Sequence, residues 1–391
     1  MASHSLRPHA FGSYVLIFAI AISAANLLSV GAGNIIAFWV RKGGPGPNRL
    51  NRWICALSFV LIVVVAITQI AFPSRSDIVS TVGLAIGSVL CIVSMQALRG
   101  AGRLTLSPIA GFYLPSGFQV VAAFSLWHQA SLSSFLFAMS LCYLLPPFLI
   151  ALPQLRETVM HHNSDAAFTI SVTLSISALA LSVMFFILGQ ADIVSLTVFR
   201  GATTTGHYTP EMRSFEALTA WAIAFAFFGT ARFGSGSPSE QRRYLSRLTL
   251  AALMGFFPCA LALLLFGRSI LLVVFGSTSS WSYPLAVAFS VGYALSVCGS
   301  IAIQTLLANA QGRGILALSI TVSVVCIPMV ALATSFLGQT GAGFANAISY
   351  AGYGIGAYLL ARGSLNCPKH LALTSPGMFA RIWGLVLRDR G

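Results

Sequence analysis

The chain has 391 residues, 57% of them hydrophobic and only 8% charged, with a formal net charge of +14. A water-soluble domain carries about 25% charged residues, so this composition excludes an ordinary aqueous surface. The positive balance does not point to nucleic acid, because the basic residues sit in short stretches between apolar runs, where membrane topology puts them.

Apolar runs long enough to cross a bilayer recur along the whole chain. Their apolarity is continuous rather than alternating, which predicts helices and excludes a barrel. The fold class expected is an all-α polytopic membrane protein with about eleven transmembrane helices. They fall at residues 11–40, 53–72, 78–98, 106–127, 132–152, 166–199, 209–231, 248–266, 281–307, 315–337 and 341–360. The first carries Ser23, Asn26, Gly33 and Asn34 on one side, either as a polar wall for sugar hydroxyls or as interhelical hydrogen bonding. The seventh is predicted to start at Thr209, as N-cap, with Pro210 and Glu211 in its first turn. In the last, Asn346, Tyr350 and Tyr353 pose the same choice as the first span, and Gly352 and Gly356 form a GxxxG pattern that predicts a close helix contact.

The connectors are short, the longest being 41–52 and 232–247, with a tail from 361. Most cysteines lie inside apolar runs and no CxxC occurs, so neither disulfides nor a metal site are expected. The histidines lie in connectors and tails, and His161 and His162 are adjacent rather than at ligand spacing. No nucleophile, metal or cofactor is called for, and the chain is not read as an enzyme.

The arginines and lysines set the orientation. Connectors after alternate spans hold Arg41, Lys42, Arg49 and Arg52, then Arg99 and Arg103, Arg156, then Arg232, Arg242, Arg243 and Arg247, and Arg313. With the tail on the same side, only Arg7, Arg75, Arg200, Arg213 and Arg268 fall elsewhere, which predicts a cytoplasmic C-terminus and an outside N-terminus. An outside N-terminus with no signal sequence predicts a parent architecture with one more helix ahead of Phe11.

An internal repeat leads to the same expectation. Phe11-Gly12-Ser13-Tyr14 matches Thr205-Gly206-His207-Tyr208, each opening a long apolar helix that runs into a basic connector. Farther on, the stretch from Gln96 to Arg103 resembles the one from Gln304 to Arg313. The copies run in the same direction, a parallel repeat. The predicted division is an N-terminal lobe of about five helices at 1–160, a C-terminal lobe of about six at 161–365 and a cytoplasmic tail at 366–391, from a parent of six plus six.

Gln190, Asp192, Gly201, Gly206, Tyr208 and Arg213, in that order within residues 185–213, resemble the mid-chain signature of a known family. It is the polysaccharide-export branch of the multidrug/oligosaccharidyl-lipid/polysaccharide exporter superfamily. Leu265-Phe266-Gly267-Arg268 with Val274-Phe275-Gly276, and the small residues from Gly341 to Asn346, resemble later parts of the same family. The resemblance runs from Phe11 to about Leu360. It implies a flippase in the bacterial inner membrane for undecaprenyl-diphosphate-linked oligosaccharide, working by alternating access between two lobes. The implied partners are the lipid-linked glycan, the bilayer and other polysaccharide assembly proteins.

Charges inside spans are costly and tend to face a cavity or a partner. Arg213, in the first turns of the seventh span, shares a face with Glu216 at i and i+3. Two readings stay open: Arg213 binds the substrate diphosphate, or the pair only completes a helix end. Asp192 carries a coupling proton or cation, or else neutralises Arg200 or Arg213. Gln190, Asn26 and Asn346 are the other candidate substrate-binding residues.

The alternatives are a multidrug or cation antiporter of the same superfamily, a membrane glycosyltransferase or polymerase, and an inactive truncated transporter. The antiporter would need an acidic residue inside a span of the first lobe, where Asp77 and Glu157 lie only at edges. The enzyme would need catalytic groups on large outer loops, and the loops here are short.

Overall fold

The computed structural model describes residues 9–18, 82–91, 115, 117–119, 121, 132–146, 172–233, 237–275, 281–309 and 311–365. Asn26, the predicted span 53–72 and the tail 366–391 lie outside these residues. The described elements are all helices: α1 (His9–Phe18), α2 (Val82–Cys91), α3 (Leu132–Pro146), α4 (Val172–Arg200), α5 (Ala202–Phe233), α6 (Pro238–Phe275), α7 (Tyr283–Ala308) and α8 (Gly312–Ser364). No strand occurs among the described residues.

Helices α4 to α8 run up and down as one bundle. At one end Ser177 Oγ donates to the Gly312 carbonyl at 2.7 Å, and Asn309 Nδ2 donates to Gln241 Oε1 at 2.8 Å. These bonds gather the starts of α4, α6 and α8 and the end of α7. At the other end Arg200 Nη2 donates to the Ser335 carbonyl at 2.8 Å, beside the kink at Gly338. Arg242, Arg243, Arg247 and Arg313 therefore start helices that share one end. Helix α8 packs along α7 and α4, while α5 packs on α4, α6 and α7.

Two of the turns at the Arg200 end are single glycines. Gly201, at φ 86°, separates α4 from α5, and Gly338, at φ 60°, breaks α8 into two antiparallel arms. A residue with a Cβ would be strained in this left-handed region. The sequence reading put a longer connector before Thr209, and the structure corrects it. Helix α5 begins at Ala202, Pro210 lies inside it, and the Thr209 hydroxyl bonds back to the Thr205 carbonyl at 2.7 Å instead of capping. The polar run 202–205 can be helical because its threonines satisfy themselves. Thr204 and Thr205 donate to carbonyls of the preceding turn, and the Thr197 and Thr205 hydroxyls meet at 3.0 Å.

Among the described residues, four helical stretches are long and apolar enough to cross a membrane: Leu179–Arg200, Pro238–Phe275, Tyr283–Leu307 and Gly312–Ser364. The last supplies two spans, one per arm. The surface of α6 explains its part. Leu245, Thr249, Ala252, Phe256, Ala260 and Leu263 are buried against the bundle, while Leu250, Met254, Phe257, Leu261 and Leu265 are exposed. A helix apolar on both faces, with large side chains turned outward, suits lipid and not water. Phe336, 79% exposed at the end of the first arm of α8, makes the same case.

The helix contacts rest on small residues, but not those of the predicted GxxxG. A Cβ on Gly354 would strike the backbone of Leu295, one on Gly299 would lie 2.7 Å from Gly354 Cα, and one on Gly292 would strike Ala347. Gly352 faces open space, and Gly356 meets only the tip of Leu318. Gly354 and Gly299 thus set the approach of α7 to the second arm of α8. Near the Gly201 turn, Gly12 of α1 lies against the backbone of Ala202 with no room for a side chain. The openings of the two predicted repeat copies therefore touch.

Candidate functional site

Polar and charged residues of α4, α5, α7 and α8 meet inside the bundle. Measured along their helices at 1.5 Å per residue, Asp192 is about 12 Å from the Arg200 turn, Arg213 about 16 Å, and Asn346 about 12 Å past Gly338. In a hydrocarbon layer about 30 Å thick that is close to the midplane. Arg213 thus lies mid-helix, not in the first turns that the sequence suggested, because α5 begins earlier.

Asp192 is fully buried. Its Oδ2 accepts from the Tyr208 hydroxyl at 2.6 Å and its Oδ1 from the Ile193 N–H at 2.8 Å. Neither arginine offered as its partner is hydrogen-bonded to it. Arg200 turns to the Ser335 carbonyl, and Arg213 donates through Nη1 to Glu216 and through Nη2 to Gln190 Oε1 at 3.0 Å. The geometry explains the switch: Asp192 sits two residues on from Gln190, on another side of α4. Tyr208, one helix away, takes the hydrogen bond, while Arg213 stays within electrostatic reach of Asp192 without bonding it.

Arg213 and Glu216 keep 28% and 27% of their side-chain surface exposed, although Met212 and Phe215 beside them are fully buried. Gly189 lies behind the pair: a Cβ there would be 3.8 Å from Glu216 Oε1 and 3.7 Å from the Tyr350 hydroxyl. The absence of a side chain at Gly189 leaves room beside both groups. A guanidinium has five N–H donors, and two are engaged here, so the rest remain to meet a ligand.

Asn346 Nδ2 donates to the Leu188 carbonyl at 3.3 Å, tying the second arm of α8 to α4. Its Oδ1 has no partner, nor has the buried hydroxyl of Tyr293. The Tyr293 ring lies 4.5 Å from that of Tyr350. The bond to Leu188 is the interhelical use expected of Asn346. Glu211 is buried apart from this group, its carboxylate oxygens each 3.3 Å from the Ser282 N–H that precedes α7.

Three site residues escaped the sequence reading. Tyr208 stood in the motif only as a landmark, although its spacing of sixteen from Asp192 across a glycine hairpin is what aligns them. Tyr293 sits in an apolar run with no signal around it. Glu211 passed for a first-turn acid because Pro210 suggested a helix start. The described cysteines are all free, and no cluster of metal-ligating groups occurs among the described residues.

No family model matches the chain, and no curated protein matches it. Solved structures do. The chain is similar to a MATE transporter in complex with MaD5, with a TM-score of 0.60 and 17% identity over 91% of this chain and 87% of the other. An inward-facing multidrug resistance MATE family transporter of the MOP superfamily gives 0.55 and 16% over 93% and 91%. An outward-facing one gives 0.52 and 18% over 94% and 88%. At such identities the likeness is one of fold, and it extends over nearly the whole length of both chains.

Proposed function

We propose that this protein is a flippase of the bacterial inner membrane that moves undecaprenyl-diphosphate-linked oligosaccharide between leaflets by alternating access, its C-terminus cytoplasmic. One observation carries the reading: a partly open guanidinium, Arg213, held near mid-membrane by Glu216 and Gln190 with donors to spare. A phosphate group matches that fork and displaces the Glu216 carboxylate, which a neutral or cationic molecule would not do. The likeness in fold to transporters described as inward- and outward-facing supports a two-state path. Gly12 lies against the Ala202 backbone at the Gly201 end, a contact that opening there would have to break.

A second reading is a multidrug antiporter. Similar structures are multidrug resistance transporters, and Asp192 is a buried carboxylate of the kind that couples to a proton or cation. Arg213 speaks against organic cations as cargo, since like charges in a low-dielectric space repel strongly.

The test is complementation of a strain lacking its oligosaccharide flippase. Restored export, with lipid-linked glycan no longer trapped on the inner leaflet, is expected from the wild type and not from Arg213→Gln. Drug resistance conferred without glycan export would establish the second reading instead.

A further inference from the structure

Across from the charged group lies a feature that charge recognition does not use. Phe11, Tyr14 and Phe18 form one stripe of α1, spaced three and four residues apart, with ring centroids 6.4 and 5.6 Å apart. Phe135 of α3 backs Tyr14 edge-on at 4.9 Å and 87°, and Tyr143 of α3 lies 6.3 Å from Phe18. The backing layer is closed: Phe11, Phe135 and Met139 are buried. The front layer is less so, for Tyr14, Phe18 and Tyr143 are only half-buried. Tyr143 is hydrogen-bonded to Gln119, and the hydroxyls of Tyr14 and Tyr143 lie within electrostatic reach of Arg213. The two tyrosines and the arginine therefore lie near one another, from opposite halves of the chain.

Half-buried rings carrying hydroxyls within electrostatic reach of a guanidinium are more than a closed apolar core requires. Aromatic rings carry a negative face that attracts the polarised C–H bonds of a saturated ring, while hydroxyls and an amide at the ring edge bond its OH groups. Beside a phosphate-binding guanidinium, that combination fits a sugar joined to a diphosphate. We infer that Tyr14 and Tyr143, with Gln119, form an aromatic wall that binds the glycan of the substrate by stacking while Arg213 holds its diphosphate. The inference rests on the flippase reading and adds to it the residues that see sugar. The wall and Arg213 are on different halves, so the substrate itself bridges the lobes while both contacts are made.

The test is calorimetric binding to the purified full chain in detergent, with two probes of equal polyprenyl length: a polyprenyl diphosphate, and the same lipid carrying a disaccharide. The wild type is expected to bind the sugar-bearing lipid about fivefold more tightly. Tyr14→Leu and Tyr143→Leu should each reduce that ratio below about twofold, and Tyr14→Phe, which keeps the ring, should preserve most of it. Should Tyr14→Leu fail to fold, Tyr143→Leu poses the same question from another helix. A wild-type ratio near one, or a ratio that survives both leucine variants, overturns the wall and leaves diphosphate binding standing. Binding of neither lipid overturns the wall and the flippase reading together.

Discussion

Removing the Tyr208 hydroxyl should reveal how Asp192 is held. In Tyr208→Phe the ring still packs against Phe289, 6.2 Å away, so the change is confined to one oxygen. That oxygen donates to Asp192 Oδ2 at 2.6 Å in a fully buried setting, and among the described residues the other donor to the carboxylate is the Ile193 N–H. Hydrogen bonds to charged groups are worth about 1.5–3 kcal/mol, and a buried acceptor left unmet adds its desolvation penalty. We expect Tyr208→Phe to destabilise the protein by about 2–3 kcal/mol. Asp192→Asn keeps an acceptor and should lose less, about 1 kcal/mol. Once Asp192 is neutral, deleting the hydroxyl matters less, so the double variant should fall short of the sum by about 1–2 kcal/mol. Unfolding in mixed micelles, followed by tryptophan fluorescence for all four proteins, measures the difference. Additivity within about 0.5 kcal/mol would refute the pairing.

Three more outcomes follow from the same geometry. Arg213→Gln should lower transport of a diphosphate-linked lipid at least about tenfold, and Arg213→Lys should restore it only in part, because a point charge does not reproduce the two-pronged fork; a vesicle flipping assay reads both. Gly354→Ala forces a methyl group into the Leu295 backbone and should cost about 2 kcal/mol or more, whereas Gly352→Ala, facing open space, should change thermal stability by less than about 0.5 kcal/mol in the same melting experiment. Gly201→Ala, with nothing near its new methyl but a left-handed φ to sustain, should fall between them at about 1 kcal/mol.

The features visible in advance were those written in long runs. Continuous apolarity predicts spans, and the six predicted after residue 160 correspond to α4 to α7 and the two arms of α8. The Arg213–Glu216 pair follows from helical spacing alone. What stayed hidden depends on single residues whose meaning is three-dimensional. Pro210 signals a helix start in isolation but is tolerated inside α5, where its missing N–H is one bond among many. Gly352 and Gly356 match a pairing motif, yet the partner helix approaches at Gly354, because the face that meets α7 is set by the tilt of both helices. Asp192 and Tyr208 look unrelated until the hairpin folds at Gly201. The cluster could be listed from residue types, but its pairings required knowing which sides of α4 and α5 face each other.

The one-residue turns at Gly201 and Gly338 leave no loop to project from these two hairpins. Arg200 clasps the corner further by bonding the Ser335 carbonyl. At these two hairpins an antibody or a protease would find helix tips rather than a loop to seize. Epitope tags inserted at these glycines would have to unwind two helices to be displayed, so the opposite side, around Ser237, is where a reporter can be grafted with least disturbance.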